Sequence, residues 1–167
     1  MAADQLFDRQ FAQVCRGTAG QPAATAYEPR PGVHPFLVLK STDGTDYVGL
    51  SSGTYPEGWH VKWPDLAEAE LVVCATQVSA TPTEICEGYT DDDSDTEWTV
   101  QTHDVVYEYT VRSATTAEEL GTQKFEAPGK CPMFSMYNGR DALPLLNYPT
   151  PSTGEVEVFL QPFVTGG

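Results

Sequence analysis

The chain has 167 residues, with 9 Lys plus Arg against 24 Asp plus Glu and a formal net charge of −15. A surface this acidic is repelled by nucleic-acid phosphates and anionic headgroups, which excludes nucleic acid as a partner. A hydrophobic content of 40% with 11% aromatics is enough for a packed core, so the chain is not a disordered acidic tail, and its length suits one domain.

Residues 4–16 read as a short amphipathic helix: Asp4 can cap it, Leu6, Phe7, Phe11, Val14 and Cys15 share one face, and Gly17 ends it. The expected organisation is a helical arm over 1–17 and one β-rich domain over 18–167. A loop rich in Gly, Pro, Ala and Thr runs to Pro35, followed by a compact apolar strand over 36–40. A turn at Asp43-Gly44 leads into Tyr47-Val48-Gly49-Leu50 as its hairpin partner. Val105, Tyr107, Tyr109 and Val111 alternate with polar residues as in a half-buried strand. Thr115-Thr116-Ala117 turns the chain into another strand ending at Lys124-Phe125-Glu126. Near the end, Ser152-Thr153-Gly154-Glu155 has the Ser-x-x-Glu form of a capping box, and Val156, Phe159, Leu160 and Phe163 form a helical stripe. That favours a C-terminal helix over the alternative strand through Val156, Val158 and Leu160. Short strands separated by turns predict a mainly β fold, an antiparallel β sandwich with a helix at one or both ends.

Cys15, Cys74, Cys86 and Cys131 contain no Cys-x-x-Cys pair, and His34, His60 and His103 are scattered, which argues against structural zinc. An even count at wide spacing suits two disulfides and an oxidising compartment. Three pairings are possible. Leu71-Val72-Val73-Cys74 and Glu84-Ile85-Cys86 flank a turn-like Ser79-Ala80-Thr81-Pro82, and a hairpin centred there sets Cys74 opposite Cys86. The expected bridges are therefore Cys74–Cys86 and Cys15–Cys131. Met1-Ala2-Ala3-Asp4 lacks the basic start of a signal peptide, and no apolar run approaches the ~18 residues of a membrane span. An exported form is expected to have had its signal or anchor removed.

Tyr27-Glu28-Pro29, Gly32-Val33-His34-Pro35, Tyr55-Pro56-Glu57-Gly58-Trp59 and Glu70-Leu71-Val72-Val73-Cys74 follow Cys15 in order. Cys86-x-Gly88-Tyr89, Thr110-Val111-Arg112-x-Ala114-Thr115-Thr116, Cys131-Pro132-Met133-Phe134 and Gln161-Pro162-Phe163-Val164 complete the series. In this order, over residues 15 to 164, the chain resembles a group of secreted or membrane-anchored bacterial proteins, actinobacterial in particular, with no assigned activity. The resemblance implies an extracytoplasmic domain, often behind an N-terminal lipid or membrane anchor, and supplies no catalytic residues.

Between Lys62 and Arg112 there is no basic residue, while that stretch holds half of the acids, peaking at Asp91-Asp92-Asp93-Ser94-Asp95-Thr96-Glu97. Asp91, Asp93 and Asp95 resemble the opening of a calcium loop, but Thr96 stands where that loop needs Gly and Thr102 where it needs Glu. A solvated acidic loop is the favoured reading, with no cofactor expected beyond weak calcium association at these carboxylates. Gly49-Leu50-Ser51-Ser52-Gly53 matches a nucleophile elbow, yet Thr54-Tyr55-Pro56 is a poor helix start, so a turn is favoured over a hydrolase using Ser51. His34 and His60, beside apolar residues, are read as packed rather than catalytic. Trp59, Trp63 and Trp98, with Tyr55 and Tyr89, are the better binding candidates, since exposed aromatic faces take sugars or protein partners. For Trp59 a core position is preferred. The function expected is a non-catalytic extracytoplasmic module that meets a protein or cell-surface ligand, as an envelope accessory subunit. The alternatives are a carbohydrate- or calcium-binding domain and, last, a small hydrolase.

Overall fold

Two apolar runs, residues 36–39 and 71–75, decide the architecture, because a strand that is apolar at every position must be buried on both faces. The computed structural model describes residues 5–51, 53–91 and 95–166. In it the two runs are neighbouring strands, β1 (Phe36–Ser41) and β3 (Leu71–Thr90), paired in parallel with Phe36 opposite Leu71 and Ser41 opposite Thr76. β2 (Val48–Gly49) lies antiparallel on the outer side of β1. β4 (Glu97–Ser113) and β5 (Glu119–Ala127) continue the sheet antiparallel from β3. β6 (Leu145–Asn147) pairs in parallel with Val100 to Thr102 of β4, beyond the end of β5. The order is β2-β1-β3-β4-β5, with β6 on β4.

The mainly β expectation therefore holds with a correction. The described strands make one mixed six-stranded sheet rather than two packed antiparallel ones. Its covers are helical. On one face Leu37, Leu39, Val72 and Cys74 meet Leu6 and Phe11 and the short helix α1 (Ala12–Cys15), which continues a 3-10 turn over Asp8–Phe11. On the other, Val38, Val73, Tyr107 and Val111 meet Val156, Leu160 and Val164 of α2 (Thr153–Val164). Phe11, Val14, Leu160 and Val164 are wholly buried, each contributing roughly 1.5–3 kcal/mol of apolar transfer. Within the segment expected as a helix over 4–16, the described helical turns span only Asp8 to Cys15. Phe11, Val14 and Cys15 pack against the sheet, while Phe7, placed on the same face by the sequence pattern, is exposed. Ser152 caps α2 by accepting from the Glu155 N–H, as the capping box predicts.

The expected hairpin at residues 79–82 is overturned. β3 runs through it as a strand of 20 residues, and its antiparallel partner β4 begins only at Glu97. Pro82 is tolerated because beyond Thr76 β3 no longer pairs with β1, so the missing N–H faces an open edge. Register shifts after Gln77, Pro82 and Cys86 absorb the irregular residues, and Gly88 supplies the positive φ of 90° at the last.

The disulfide pairing is corrected with it. Cys74 and Cys86 lie on one strand, twelve residues or roughly 40 Å apart, far beyond bridging distance. The observed bridges are Cys15–Cys74, tying α1 to the sheet, and Cys86–Cys131, tying β3 to the loop after β5. No cysteine is left free. Two disulfides suit an oxidising environment. No helix among the described residues is long and apolar enough to cross a membrane.

Candidate functional site

Past Ala80 the β3–β4 pair runs beyond the end of β5 as an arm with a small core of its own. Cys86, Trp98 and Val100 are buried there, with Tyr89, Tyr137 and Leu145 packed against them. This cluster holds the loop over residues 131–137. The Cys86–Cys131 bridge fixes its start. The Tyr89 hydroxyl donates to the Pro132 carbonyl at 2.6 Å, the Trp98 Nε1–H donates to Ser135 Oγ at 3.0 Å, and the Tyr137 ring lies 5.7 Å from that of Trp98. Between these anchors Met133, Phe134 and Met136 point outward, 88%, 86% and 92% exposed. Three neighbouring apolar side chains on water, held by a bridge and two hydrogen bonds, form a surface whose ordering cost is met before any partner arrives. Methionine adds adaptable, polarisable contact.

The acidic stretch frames this loop. Glu84, Glu87, Asp91, Asp95 and Glu97 are exposed along the arm. Asp93 of the proposed calcium triplet lies outside the described residues. The one group of potential metal ligands found among the described residues is Glu84, Cys86 and Cys131, and both sulfurs are consumed by the disulfide.

The aromatic candidates separate by environment. Trp59 is buried in the main core, and Tyr55 packs half-buried with its ring 5.1 Å from Phe36. Trp98 is buried with Tyr89 stacked on it at 6.4 Å, so both support the loop from beneath. Trp63 alone of the three tryptophans is open to solvent, at 59%. Met133, Phe134 and Met136 were not among the sequence candidates. The signal for them is the run Met-Phe-Ser-Met directly after Cys131-Pro132, apolar without strand or helix period.

Trp63 borders a second region. A cavity of about 260 Å³ lies between the N-terminal turn, β2 and the segment leading to a 3-10 turn at Leu66–Glu68, with Asp8, Ser51, His60, Lys62 and Trp63 in its wall. An adjoining depression shares Asp8 and Trp63 and adds Phe7 and Arg9. The Asp8 carboxylate lies directly over Gly49, so a side chain at that position would displace it. His60 stacks on Phe36 with ring centroids 5.5 Å apart, and desolvation, helped by Lys62, lowers its pKa to about 4 despite the opposing Leu50 backbone.

Ser51, His60 and Asp8 stand around one cavity, the residue types of a hydrolytic triad. They are not joined as one. A triad needs an imidazole bonded to the hydroxyl on one side and to the carboxylate on the other. Here the His60 Nδ1 is buried without a hydrogen-bond partner. A base held near 4 is also poorly matched to neutral pH. Nor does a helix follow Ser51 directly: the next helical turn is at Leu66–Glu68, so the elbow pattern lacks its strand-to-helix geometry among the described residues.

Comparison of the chain with protein-family models, with curated proteins and with solved structures finds no match.

Proposed function

We propose that the chain is a non-catalytic binding module that docks a protein partner through the loop carrying Met133, Phe134 and Met136. The observation that carries this reading is the exposure of those three side chains on a loop held at Cys131, Pro132 and Ser135. Proteins rarely leave adjacent large apolar groups on water without a partner surface for them. The flanking carboxylates define the partner's chemistry as an apolar pocket with a basic rim, and they steer such a surface toward the loop. The two bridges support an extracytoplasmic setting, where the module acts as an envelope accessory subunit. Membership of the secreted or membrane-anchored actinobacterial group belongs to the same proposal, resting on the ordered motifs of the sequence.

The test is affinity capture from envelope extract with two baits, the natural chain and a Met133→Ser/Phe134→Ser/Met136→Ser variant. A discrete protein retained by the first and lost from the second supports the reading. Identical recovery from both, or recovery of nothing by either, contradicts it.

A further inference from the structure

We infer that the cavity beside Trp63 is a saccharide-binding site that takes one sugar ring, independent of the partner-binding loop. Its wall decides the ligand chemistry. Asp8 is half-buried against Gly49, and its carboxylate has no hydrogen bond or ion pair among the described residues. It is an acceptor set at a cavity without a donor. His60, held neutral at physiological pH, adds no positive charge to the wall. A ligand that satisfies Asp8 must therefore bring its own donors, either hydroxyl groups or a cationic nitrogen.

The rim decides between the two. Lys62 and Arg9 flank the opening and oppose a cation, while their N–H groups suit hydroxyl oxygens. Trp63, 59% exposed, offers an apolar face at the same mouth, beside Phe7, whose ring carries the Arg9 guanidinium at 5.5 Å. An apolar face on one side and hydroxyl donors on the other describe a pyranose, whose C–H face lies on an indole while its edge hydrogen-bonds to acid and base. Size agrees. At about 260 Å³ the cavity is below the ~300–1,000 Å³ of drug-sized pockets and fits a single ring.

The experiment titrates the folded chain with the methyl glycosides of glucose, mannose, galactose and N-acetylglucosamine, read by tryptophan fluorescence and by backbone amide shifts. Trp63 is the one exposed tryptophan, so quenching reports on this site. The expected result is saturation by at least one glycoside with Kd on the order of 1 mM, weakened at least about tenfold in Trp63→Ala and in Asp8→Asn. The loop variant Met133→Ser/Phe134→Ser/Met136→Ser keeps the natural affinity, which separates this site from the docking surface. Circular dichroism establishes that each variant is folded. Three results overturn the inference: no saturation by any glycoside up to roughly 50 mM, saturation unchanged in both site variants, or competition by methylammonium, which marks a cation site instead.

Discussion

The His34 imidazole lies with Nδ1 3.0 Å from Oε1 of Glu70, and both side chains are buried. The second carboxylate oxygen accepts from the Arg30 guanidinium at 2.8 Å, and His34 Nε2 faces the Arg30 carbonyl at 2.9 Å. The two residues also join distant parts of the chain through their backbones. His34 N–H donates to the Val164 carbonyl at the end of α2, Glu70 N–H to Pro35, and Ala114 N–H to Glu70. The N-terminal loop, the start of β3, the β4–β5 turn and α2 thus converge on one polar cluster inside an apolar fold. In a low-dielectric interior such a cluster is stable only while every member keeps its partner.

Removing the Glu70 carboxylate should therefore be costly. Glu70→Ala leaves His34 buried without its acid and is expected to lower unfolding stability by about 3–5 kcal/mol. Arg30→Ala should cost less than that, since its side chain is 49% exposed and water can reach the Glu70 oxygen it vacates. Urea unfolding of the two variants reads the difference directly, and equal losses would assign the cluster's strength to the surface pair.

His60 sets a pH dependence. Its pKa is about 4 in the folded chain against an ordinary 6.5, so the unfolded chain takes up this proton first as pH falls. Its contribution to stability is complete above pH 6.5 and is lost progressively between 6.5 and about 4. Melting temperature should fall across that window, and His60→Gln should show a smaller fall over the same range. An identical profile for the variant would remove His60 as the cause.

The two bridges close loops spanning sequence separations of 59 and 45 residues. By the chain-entropy relation each is worth about 4 kcal/mol. Non-reducing digestion should release Cys15 linked to Cys74 and Cys86 linked to Cys131. A Cys86→Ala/Cys131→Ala pair should raise hydrogen exchange at residues 131–137 and the arm beneath them, whereas Cys15→Ala/Cys74→Ala should loosen the packing of α1 on the sheet.

Gly20 lies against the β4–β5 turn, where a Cβ would overlap the Thr115 carbonyl and the backbone at 116. Because the obstacle is backbone rather than a mobile side chain, Gly20→Ala is expected to cost about 1–3 kcal/mol. Gly154, with nothing near its Cβ position, serves as the control for thermal unfolding.

Turn, strand and capping signals are legible in the local sequence, whereas the amphipathic pattern over 4–16 yields only a 3-10 turn and one turn of α-helix. Asp43-Gly44 makes the turn after β1, with Asp43 Oδ1 accepting from the N–H groups of Thr45 and Asp46, which hold its carboxyl well below the ordinary range. The alternation at 105–111 is a strand with Val105, Tyr107, Tyr109 and Val111 buried, and the Ser152 cap starts a helix. What failed depended on distant pairing. Pro82 looks like a turn until the open edge beyond Thr76 makes a prolyl residue harmless, and the Cys74–Cys86 pairing expected from that turn falls with it. The parallel pairing of β1 with β3 leaves no local trace beyond their unbroken apolar runs. Site residues were hidden for a related reason. Trp98 and Tyr89 have the composition of a binding surface but are spent as supports, while the exposed Met133, Phe134 and Met136 have the composition of a core. The acidity was legible as a stretch; its role as a frame around that loop depended on the fold.

The most direct test of the docking surface is site-specific photocrosslinking with p-benzoylphenylalanine, placed in turn at position 134 of the loop and at position 158 on the exposed side of α2. Val158 is 71% exposed and far from the loop in sequence, so it controls for simple accessibility. A discrete adduct from position 134 that is absent from position 158, formed in intact envelopes, is the result predicted. No adduct from 134, or the same adducts from both positions, would contradict it.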